Sequence, residues 1–588
     1  EDTICCVADI LSYEGAPTLW HRLTFTGMPR PADPALKFPS LESITGVPVT
    51  EGAFDRVVTA NQEPYNLVEI GGVSLDGSYE LPDMPVLGGS VVNLIGSWRT
   101  YISDSQFDGD FSYYDAVLAW TEVALDQYSA ELRFTSPGAQ LVDYQVGGYF
   151  YHQDMDTLDR NGFEWDFLEL WPLADEPVMN IGDNNHKTWS YAAFGQATLN
   201  PIERLSLTGG VRYTYEKKTR EGTQVSTFPP CDPAQGWDPD GPNLTCLDVP
   251  PIMGPPVGKD EKRSVSNVSW MTNLRYFPTE EIMLYASVAT GFKSGGFNQL
   301  RTSVAAPSEF DDEESRNYEF GFKTSWFERM LTFNATGFYT EYKDFQAQVF
   351  DGSSINVINA GELLSYGAEA DLVVVPLPGL VIGSSLGFNI AEYESFDLGP
   401  QTARQKWEVT KDPYLPRDPT DPDPPLIPNP AYPDVLGSPP KCGAPYDTWP
   451  SGQRKYPWLD LEACVQDLGG ERLNNAPRWS VSSFAQYEYP LPWYPIELFG
   501  RAEYAYTSMV YLDVDLDPAM KQPATHIVNL RAGFRGELRW GEWEVTGWVR
   551  NLTGEGYNVV GFDVPTINGF AGVNGPPRQY GLTVRVTL

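Results

Sequence analysis

Four cysteines stand in loop-like segments at spacings that suit local disulfide bonds. Cys231 and Cys246 lie 15 positions apart in a segment rich in proline, aspartate and glycine. Cys442 and Cys464 lie 22 positions apart in a second segment of this kind. Local cysteine pairs in exposed segments are typical of an oxidising compartment. We therefore predict two disulfide bonds, Cys231 with Cys246 and Cys442 with Cys464.

The remaining cysteines and the histidines do not indicate a metal site. Cys5 and Cys6 are adjacent, and the sequence leaves open whether they bond to each other or to an upstream segment. Zinc sites need cysteine and histidine ligands at short, regular spacings. No histidine lies at such a spacing from the four loop cysteines; the histidines are His21, His152, His186 and His526. We predict no metal and no cofactor.

A run of carboxylates at positions 311–314 is the one candidate for hydrolytic chemistry. Asp311, Asp312, Glu313 and Glu314 could supply the paired acids that glycoside hydrolysis requires. They fall at a junction between a loop and a strand, where solvated charge is the commoner role. Phosphate-binding glycine patterns, a nucleophile elbow and a HExxH motif are absent from the sequence. We therefore predict that the protein is not an enzyme.

The overall charge narrows the possible partners. The chain of 588 residues carries 79 acidic and 40 basic residues, for a net charge of −39. Nucleic-acid binding needs a basic surface, and no basic patch stands out in so negative a chain. The acidity suits either a solvated loop surface or a surface that meets divalent or cationic ligands.

The C-terminal residues show the period of a half-buried β-strand. Apolar residues from Tyr580 to Leu588 occupy every second position, and the positions between them are polar or glycine. Such a strand has one apolar and one polar face. In a soluble sandwich the apolar face would meet a core, whereas in a membrane barrel it would meet lipid.

Similar strands recur along the chain with connections that alternate between short and long. We predict strands at 91–102, 113–124, 127–136, 141–153, 187–199, 204–216, 266–276, 281–292, 313–326, 329–342, 364–375, 380–394, 477–489, 496–508, 524–536, 542–551 and 578–588, with 66–84 as a possible further strand. Long loops are expected at 217–265, 293–312, 343–363, 395–476, 509–523 and 552–577. Short turns at one end and long loops at the other are typical of an outer-membrane barrel. A soluble sandwich has no reason to place its long loops together.

Two further observations agree with a transmembrane antiparallel β-barrel. No run of roughly 20 apolar residues is present, as a membrane helix would need. Aromatic residues make up 13% of the chain, and tyrosine and tryptophan favour membrane interfaces. We therefore predict an all-β fold, a barrel of about 17–18 strands in this chain with long extracellular loops.

Several segments, in the right order, resemble TonB-dependent receptors, the gated 22-stranded transporters of Gram-negative outer membranes. The resemblance covers residues 90–588 and rests on the segments 129–136 (SAELRFTS), 147–150 (GGYF), 194–196 (FGQ), 209–213 (GGVRY), 285–298 (YASVATGFKSGGFN), 314–323 (ESRNYEFGFK), 367–370 (GAEA), 475–477 (NAP), 550–553 (RNLT) and 577–581 (PRQYG). Each segment alone is a weak signal. The family also has a plug domain with a TonB box, which we expect upstream of this sequence or on another polypeptide, together with the first strands.

The resemblance implies a domain division and a function. Residues 1–90 would be a long extracellular loop region with one strand, and residues 91–588 would be the transmembrane barrel. The family takes up scarce solutes, most often ferric siderophores, by loop capture and gating energised by TonB with ExbB and ExbD. Lipid, lipopolysaccharide and the barrel-assembly machinery would be further partners, and nucleic acid would not. The alternative is a structural or adhesive barrel that builds a surface assembly without transport.

Overall fold

The described part of the protein is almost entirely β-structure. A computed structural model describes residues 8–11, 64–82, 89–108, 117–163, 178–226, 257–298, 309–350, 355–397, 399–400, 402, 441–442, 464–564 and 569–587. Its main sheet is an antiparallel barrel of 17 strands. Within these residues no helix is long and apolar enough to cross a membrane.

The barrel strands follow one another in chain order, each paired with the next. They are β1 (Tyr65–Glu80), β2 (Val91–Asp108), β3 (Val117–Thr135), β4 (Val142–Phe163), β5 (Val178–Ile202), β6 (Leu205–Ser226), β7 (Val257–Thr279), β8 (Ile282–Lys293), β9 (Glu313–Trp326), β10 (Leu331–Lys343), β11 (Glu362–Leu377), β12 (Leu380–Ser395), β13 (Trp479–Pro490), β14 (Ile496–Thr507), β15 (Thr525–Leu538), β16 (Gly541–Arg550) and β17 (Gln579–Thr587). Strands β2 to β7 have 18 to 25 residues, whereas β8 to β17 have 9 to 16.

Short elements lie between the strands at the end of the barrel that carries the long loops. They are the strands Ala8–Leu11, Gly296–Phe297, Glu309–Phe310, Gln346–Phe350, Ile355–Asn359, Lys441–Cys442, Cys464–Val465, Val510–Tyr511, Lys521–Gln522, Asn558–Val564 and Gly569–Asn574, and the 3-10 helix Pro518–Met520. The opposite end has tight turns, such as Phe327–Met330 and Pro378–Gly379. We call the end with the long loops the outer end.

One sequence prediction about strand boundaries is wrong. The strands expected at 113–124 and 127–136 are the single strand β3, and Asp126 at its centre pairs with Thr100 and Asp154. No glycine or proline interrupts this segment, so the ladder continues through its polar residues. Strands β6 and β7 also extend into the loop expected at 217–265, as far as Ser226 and back to Val257.

The outer face of the barrel carries aromatic ladders near the outer end. Trp98, Tyr128, His152 and Trp189 lie opposite one another on β2 to β5. The His152 ring stacks on Tyr128 and Trp189, at centroid distances of 6.2 and 4.9 Å. Exposed aromatic residues also stand near the tight turns; they are Phe327, Tyr487, Tyr489, Trp493, Tyr494 and Trp540. Two aromatic belts separated by an apolar band are what a membrane barrel presents to lipid.

The inner face is polar and forms networks along neighbouring strands. Arg133 and Glu131 lie 3.5 Å apart at their charged atoms. The Tyr285 hydroxyl donates to Glu319 and contacts Thr336 at 2.8 Å. Such ion pairs and hydrogen bonds stabilise a polar lumen, because they give these donors and acceptors a partner.

The two faces can be distinguished by cysteine labelling at adjacent positions of β8. Ala286 and Ser287 are adjacent in β8, so their side chains lie on opposite faces of the barrel wall. Ala286 lies opposite Leu274 and Phe320, whose side chains are exposed on the outer face. We expect Ala286→Cys to react with a lipid-confined thiol reagent, and Ser287→Cys with a soluble one. The unsubstituted protein gives the background from its own cysteines. The reverse pattern would mean that the outer and inner faces are exchanged.

Candidate functional site

The outer end of the barrel contains a hydrophobic core built from loops, which we call the loop core. It joins the ends of β11 and β12 to the segments that follow β10, β12 and β14. Leu468 is 0% exposed and Tyr393 only 1%. The buried members are Ala347, Ala360, Leu363, Tyr393, Phe396, Leu468, Val514 and Leu516. Because loops with their own buried core hold a fixed shape, the outer end has a folded platform.

Side-chain amides connect the segment after β8 to one of these loops, the segment after β10. The Asn298 amide pairs with the backbone of Val357 in both directions, at 2.9 and 2.7 Å. The amide group of Asn359 accepts from the Asp311 backbone N–H at 2.7 Å. Gln346 donates to the Asp311 carbonyl oxygen at 2.9 Å. The segment after β8 is therefore attached to the segment after β10 by specific hydrogen bonds.

Arg472 connects the segment before β13 to the segment after β14. Its guanidinium donates to the backbone oxygens of Ala476 and Met509, at 3.0 and 3.2 Å, and lies over the Tyr511 ring. Burial lowers the pKa of Arg472, and the neighbouring Arg478 lowers it further. The ordinary pKa is so high that the group stays cationic and keeps both bonds.

The carboxylate run predicted from the sequence has a structural role on the platform. Arg263 binds Glu309, Asp311 and Asp312, with nitrogen–oxygen distances of 2.6, 3.1 and 3.0 Å. The Glu313 carboxylate accepts from the Gln346 backbone N–H at 2.8 Å. The acids bound by Arg263 hold the loop onto β7, and Glu313 holds the start of β9 to the segment after β10.

The structure places one of the two predicted cysteine pairs in register. Cys442 and Cys464 are directly opposite in a two-stranded antiparallel ladder. Directly opposite Cα atoms in such a ladder are about 4.5–5.5 Å apart, which is within the range of disulfides. Cys231 and Cys246 lie outside the described residues, as do Cys5, Cys6 and His21.

We predict that non-reducing peptide mapping will recover a peptide in which Cys442 is linked to Cys464. The bond would close a loop of about 22 residues and so stabilise it by about 3 kcal/mol on chain-entropy grounds. Cys442→Ser together with Cys464→Ser should therefore increase proteolysis within 443–463. The matched control is Cys231→Ser together with Cys246→Ser, the same double change outside this loop. Recovery of both thiols in the free state would contradict the prediction.

Sequence reasoning missed the loop core. Its signal was present in 514–517, where Val514 and Leu516 alternate with aspartates inside the loop expected at 509–523. Asp515 and Asp517 are as deeply buried as Val514 and Leu516, so both faces of this segment are packed. An acidic loop with regularly spaced apolar residues therefore need not be a solvated one.

Long antiparallel strands, two aromatic belts, a polar interior and folded loops at one end define an outer-membrane β-barrel of the receptor type. The chain belongs to the TonB dependent receptor-like, beta-barrel family, which it matches over residues 21–552. Proteins of this family lie in the outer membrane of Gram-negative bacteria, and the localisation predicted from the sequence is confirmed.

Characterised relatives and solved structures agree with this assignment. The chain is 24% identical over 310 residues to the pesticin receptor of Yersinia enterocolitica and equally to that of Yersinia pestis, covering 53% of this chain and 39% of each relative. It is similar in fold to the ferric yersiniabactin uptake receptor FyuA of Yersinia pestis, with a TM-score of 0.61, 18% identity, and coverage of 89% of this chain and 62% of that one. The siderophore receptor PiuA of Acinetobacter baumannii gives a TM-score of 0.57, 14% identity, and coverage of 89% and 64%.

The chain thus spans about two fifths of the length of the pesticin receptors and under two thirds of these two structures. The structural likenesses concern the fold. The all-β barrel class and the family resemblance drawn from the sequence are both confirmed.

Proposed function

We propose that the protein is a TonB-dependent transporter that captures a scarce solute, such as a ferric siderophore, on its outer loops. The observation that carries the proposal is the loop core, which gives a membrane barrel of this family a folded platform at the mouth of its lumen. Folded loops can present a fixed set of contacts to a solute, whereas a merely protective cap has no need of a buried core.

Energised gating is the second part of the proposal. TonB, acting with ExbB and ExbD, would pull on a plug domain that closes the lumen of the barrel. The protein would thus act as a receptor and transporter rather than as an enzyme. In support, Arg263 forms ion pairs with Asp311 and Asp312, two of the four acids that were the candidates for hydrolysis.

We propose the domain division expected from the sequence, with residues 1–90 as an outer loop region with one strand and 91–588 as the barrel. The backbone of Ala8–Leu11 pairs with Gly569–Asn574, in the outer connection that precedes β17. In the described residues β1 pairs with β2 alone and β17 with β16 alone. Further strands on these two edges would supply the partners that edge strands require.

The side chains on the outer face of the barrel indicate which membrane components would contact the protein. Lipid would cover the apolar band, and lipopolysaccharide would meet the polar side chains above the upper aromatic ladder, where Lys187 pairs with Asp154 at 3.4 Å. The barrel-assembly machinery would insert the strands. We propose no nucleic-acid partner, in keeping with the net charge of −39.

Uptake of radioactive ferric chelates by cells that express the full-length protein tests the proposal. We expect accumulation that a protonophore or deletion of TonB abolishes, while binding at the cell surface persists. The matched control is the same strain without the protein. Absence of energised uptake for hydroxamate, catecholate and hydroxycarboxylate chelates, together with lateral association of the purified protein, would favour a structural barrel instead.

A further inference from the structure

An apolar patch interrupts the polar inner face of the barrel on four neighbouring strands, β1 to β4. Strand register places its side chains in two adjacent rows on that face. Leu125, for example, lies six positions from Glu131 on β3 and therefore shares its inner face. We call this group the apolar wall patch; its members are Val68, Ile70, Tyr101, Val123, Leu125 and Met155.

The apolar wall patch is accessible to water. Ile70 is 76% exposed and Val68 is 42% exposed, and the other four members are half-buried. Single exposed apolar residues are ordinary, whereas a contiguous exposed group marks a surface that binds a ligand or a partner. The exposed side chains leave room for an apolar group to lie directly against the wall.

The patch lies at the mouth of the barrel, above the level of the lipid. Tyr101 stands three positions beyond Trp98 on β2, and Leu125 stands three positions beyond Tyr128 on β3, in both cases toward the outer end. Three residues span about 10 Å along a strand. Because the patch also faces the lumen, lipid does not cover it, and a solute that enters from outside passes it.

A cationic side chain borders the patch. Arg99 is exposed on the same face, two positions from Tyr101, and lies directly opposite Gly72. An added Cβ at Gly72 would be 3.2 Å from the Arg99 Cγ atom, so the glycine leaves the space beside the arginine stem. An exposed arginine beside an apolar surface offers both a positive charge and a planar face.

The side chains of the patch select an aromatic, negatively charged group. Rings pack edge-to-face or offset on a tyrosine such as Tyr101, and a thioether such as that of Met155 makes favourable contacts with rings. Arg99 can pair with a negative charge or stack on a ring. An aliphatic hydroxycarboxylate has the charge without the rings, so it would gain the arginine contact alone.

We propose that the apolar wall patch binds the aromatic rings of an anionic metal chelate, with Arg99 beside the negative charge. This inference rests on the proposed transport function and narrows its solute to aromatic chelates. The loop core uses none of the strands β1 to β4, so the patch would be a contact surface separate from the platform.

Two chelates and a matched pair of variants test the aromatic contact in outer-membrane vesicles that contain the full-length protein. The probes are ferric tris-catecholate and ferric citrate labelled with radioactive iron; both are anionic, and only the first has aromatic rings. Ile70→Thr should raise Kd for the tris-catecholate about tenfold and leave Kd for ferric citrate unchanged, because it removes apolar contact area. Ile527→Thr is the control, the same change on the inner face of β15, three positions from the outward-facing Leu530.

A second pair of variants tests the charge. Arg99→Gln should raise Kd for both chelates about tenfold, because both are anionic. Arg531→Gln is the control, the same change at an exposed position next to Leu530 on β15. Equal effects within either pair of variants, or a wild type that does not bind ferric tris-catecholate more tightly than ferric citrate, would overturn the proposal.

Thermal stability separates a ligand-binding surface from one that packs against the protein itself. Because Ile70 is largely exposed, Ile70→Thr should leave Tm unchanged to within about 2 °C. A clearly lower Tm would mean that another part of the protein covers the patch, and the proposal would be wrong.

Energised uptake distinguishes the two levels of failure. If cells take up ferric tris-catecholate in a TonB-dependent manner but Ile70→Thr and Arg99→Gln do not alter its binding, only the patch assignment fails. If no chelate is taken up with energy, the transport function fails as well.

Discussion

Leu468→Ala is expected to unfold the platform at the mouth of the barrel while the barrel itself stays folded. Leu468 is fully buried among loop residues contributed by three separate connections. Truncation of a buried leucine to alanine costs about 2–5 kcal/mol, because it removes apolar contacts and leaves a cavity. A platform with so few buried residues has a small free energy of unfolding, so a loss of this size is enough to unfold it.

Hydrogen exchange followed by mass spectrometry measures the effect. Backbone amides of 346–350, 355–360, 466–473 and 510–516 should lose protection, while those at the centres of β9 to β15 should not. Leu530→Ala is the matched control, since Leu530 is 39% exposed on the outer face. Unchanged protection in all three loop segments would show that the loop core does not hold the platform together.

Gly367→Ala is expected to prevent correct assembly of the barrel. A Cβ at this position would lie 1.9 Å from the backbone carbonyl oxygen of Phe388 and 3.0 Å from the Phe338 ring. The ring could move, but the carbonyl belongs to the ladder between β11 and β12. Overpacking ordinarily costs about 1–3 kcal/mol, and a clash with backbone should reach at least the upper end of that range.

The amount of heat-modifiable barrel in outer membranes reports assembly. Gly209→Ala is the matched control, because a Cβ there would have no neighbour within 4 Å. We expect a wild-type amount for Gly209→Ala and a severe loss for Gly367→Ala. Similar amounts of the two variants would contradict the close approach of β11 and β12 at this position.

The barrel was predictable because each strand repeats one simple rule, with apolar residues outside and polar residues inside. The rule failed at Asp126, where polar residues on both faces were interpreted as a turn. The structure shows why: β3 continues beyond the aromatic ladder at Tyr128, so its outer face there is polar as well. Where a strand extends beyond the membrane, apolar and polar residues no longer alternate, so the sequence pattern does not identify the strand there.

The candidate site was less predictable. From the sequence, Gly367 could be recognised as part of a family motif. Cys442 and Cys464 could be paired by their spacing. The loop core depends on contacts between residues such as Phe396 and Leu516, which are far apart in the sequence. The inner-face network of Tyr285, Glu319 and Thr336 depends on the register of three strands, and a single sequence gives no register.

The unequal strand lengths give the barrel a slanted rim. A strand crosses the bilayer with about 9–11 residues, so the 25 residues of β5 reach about 30 Å beyond it, whereas the 10 of β16 end near its surface. The folded loops rise from the low side, where β10, β12 and β14 end. A solute would therefore approach over the low side of the rim and meet the high wall that the long strands β2 to β7 form.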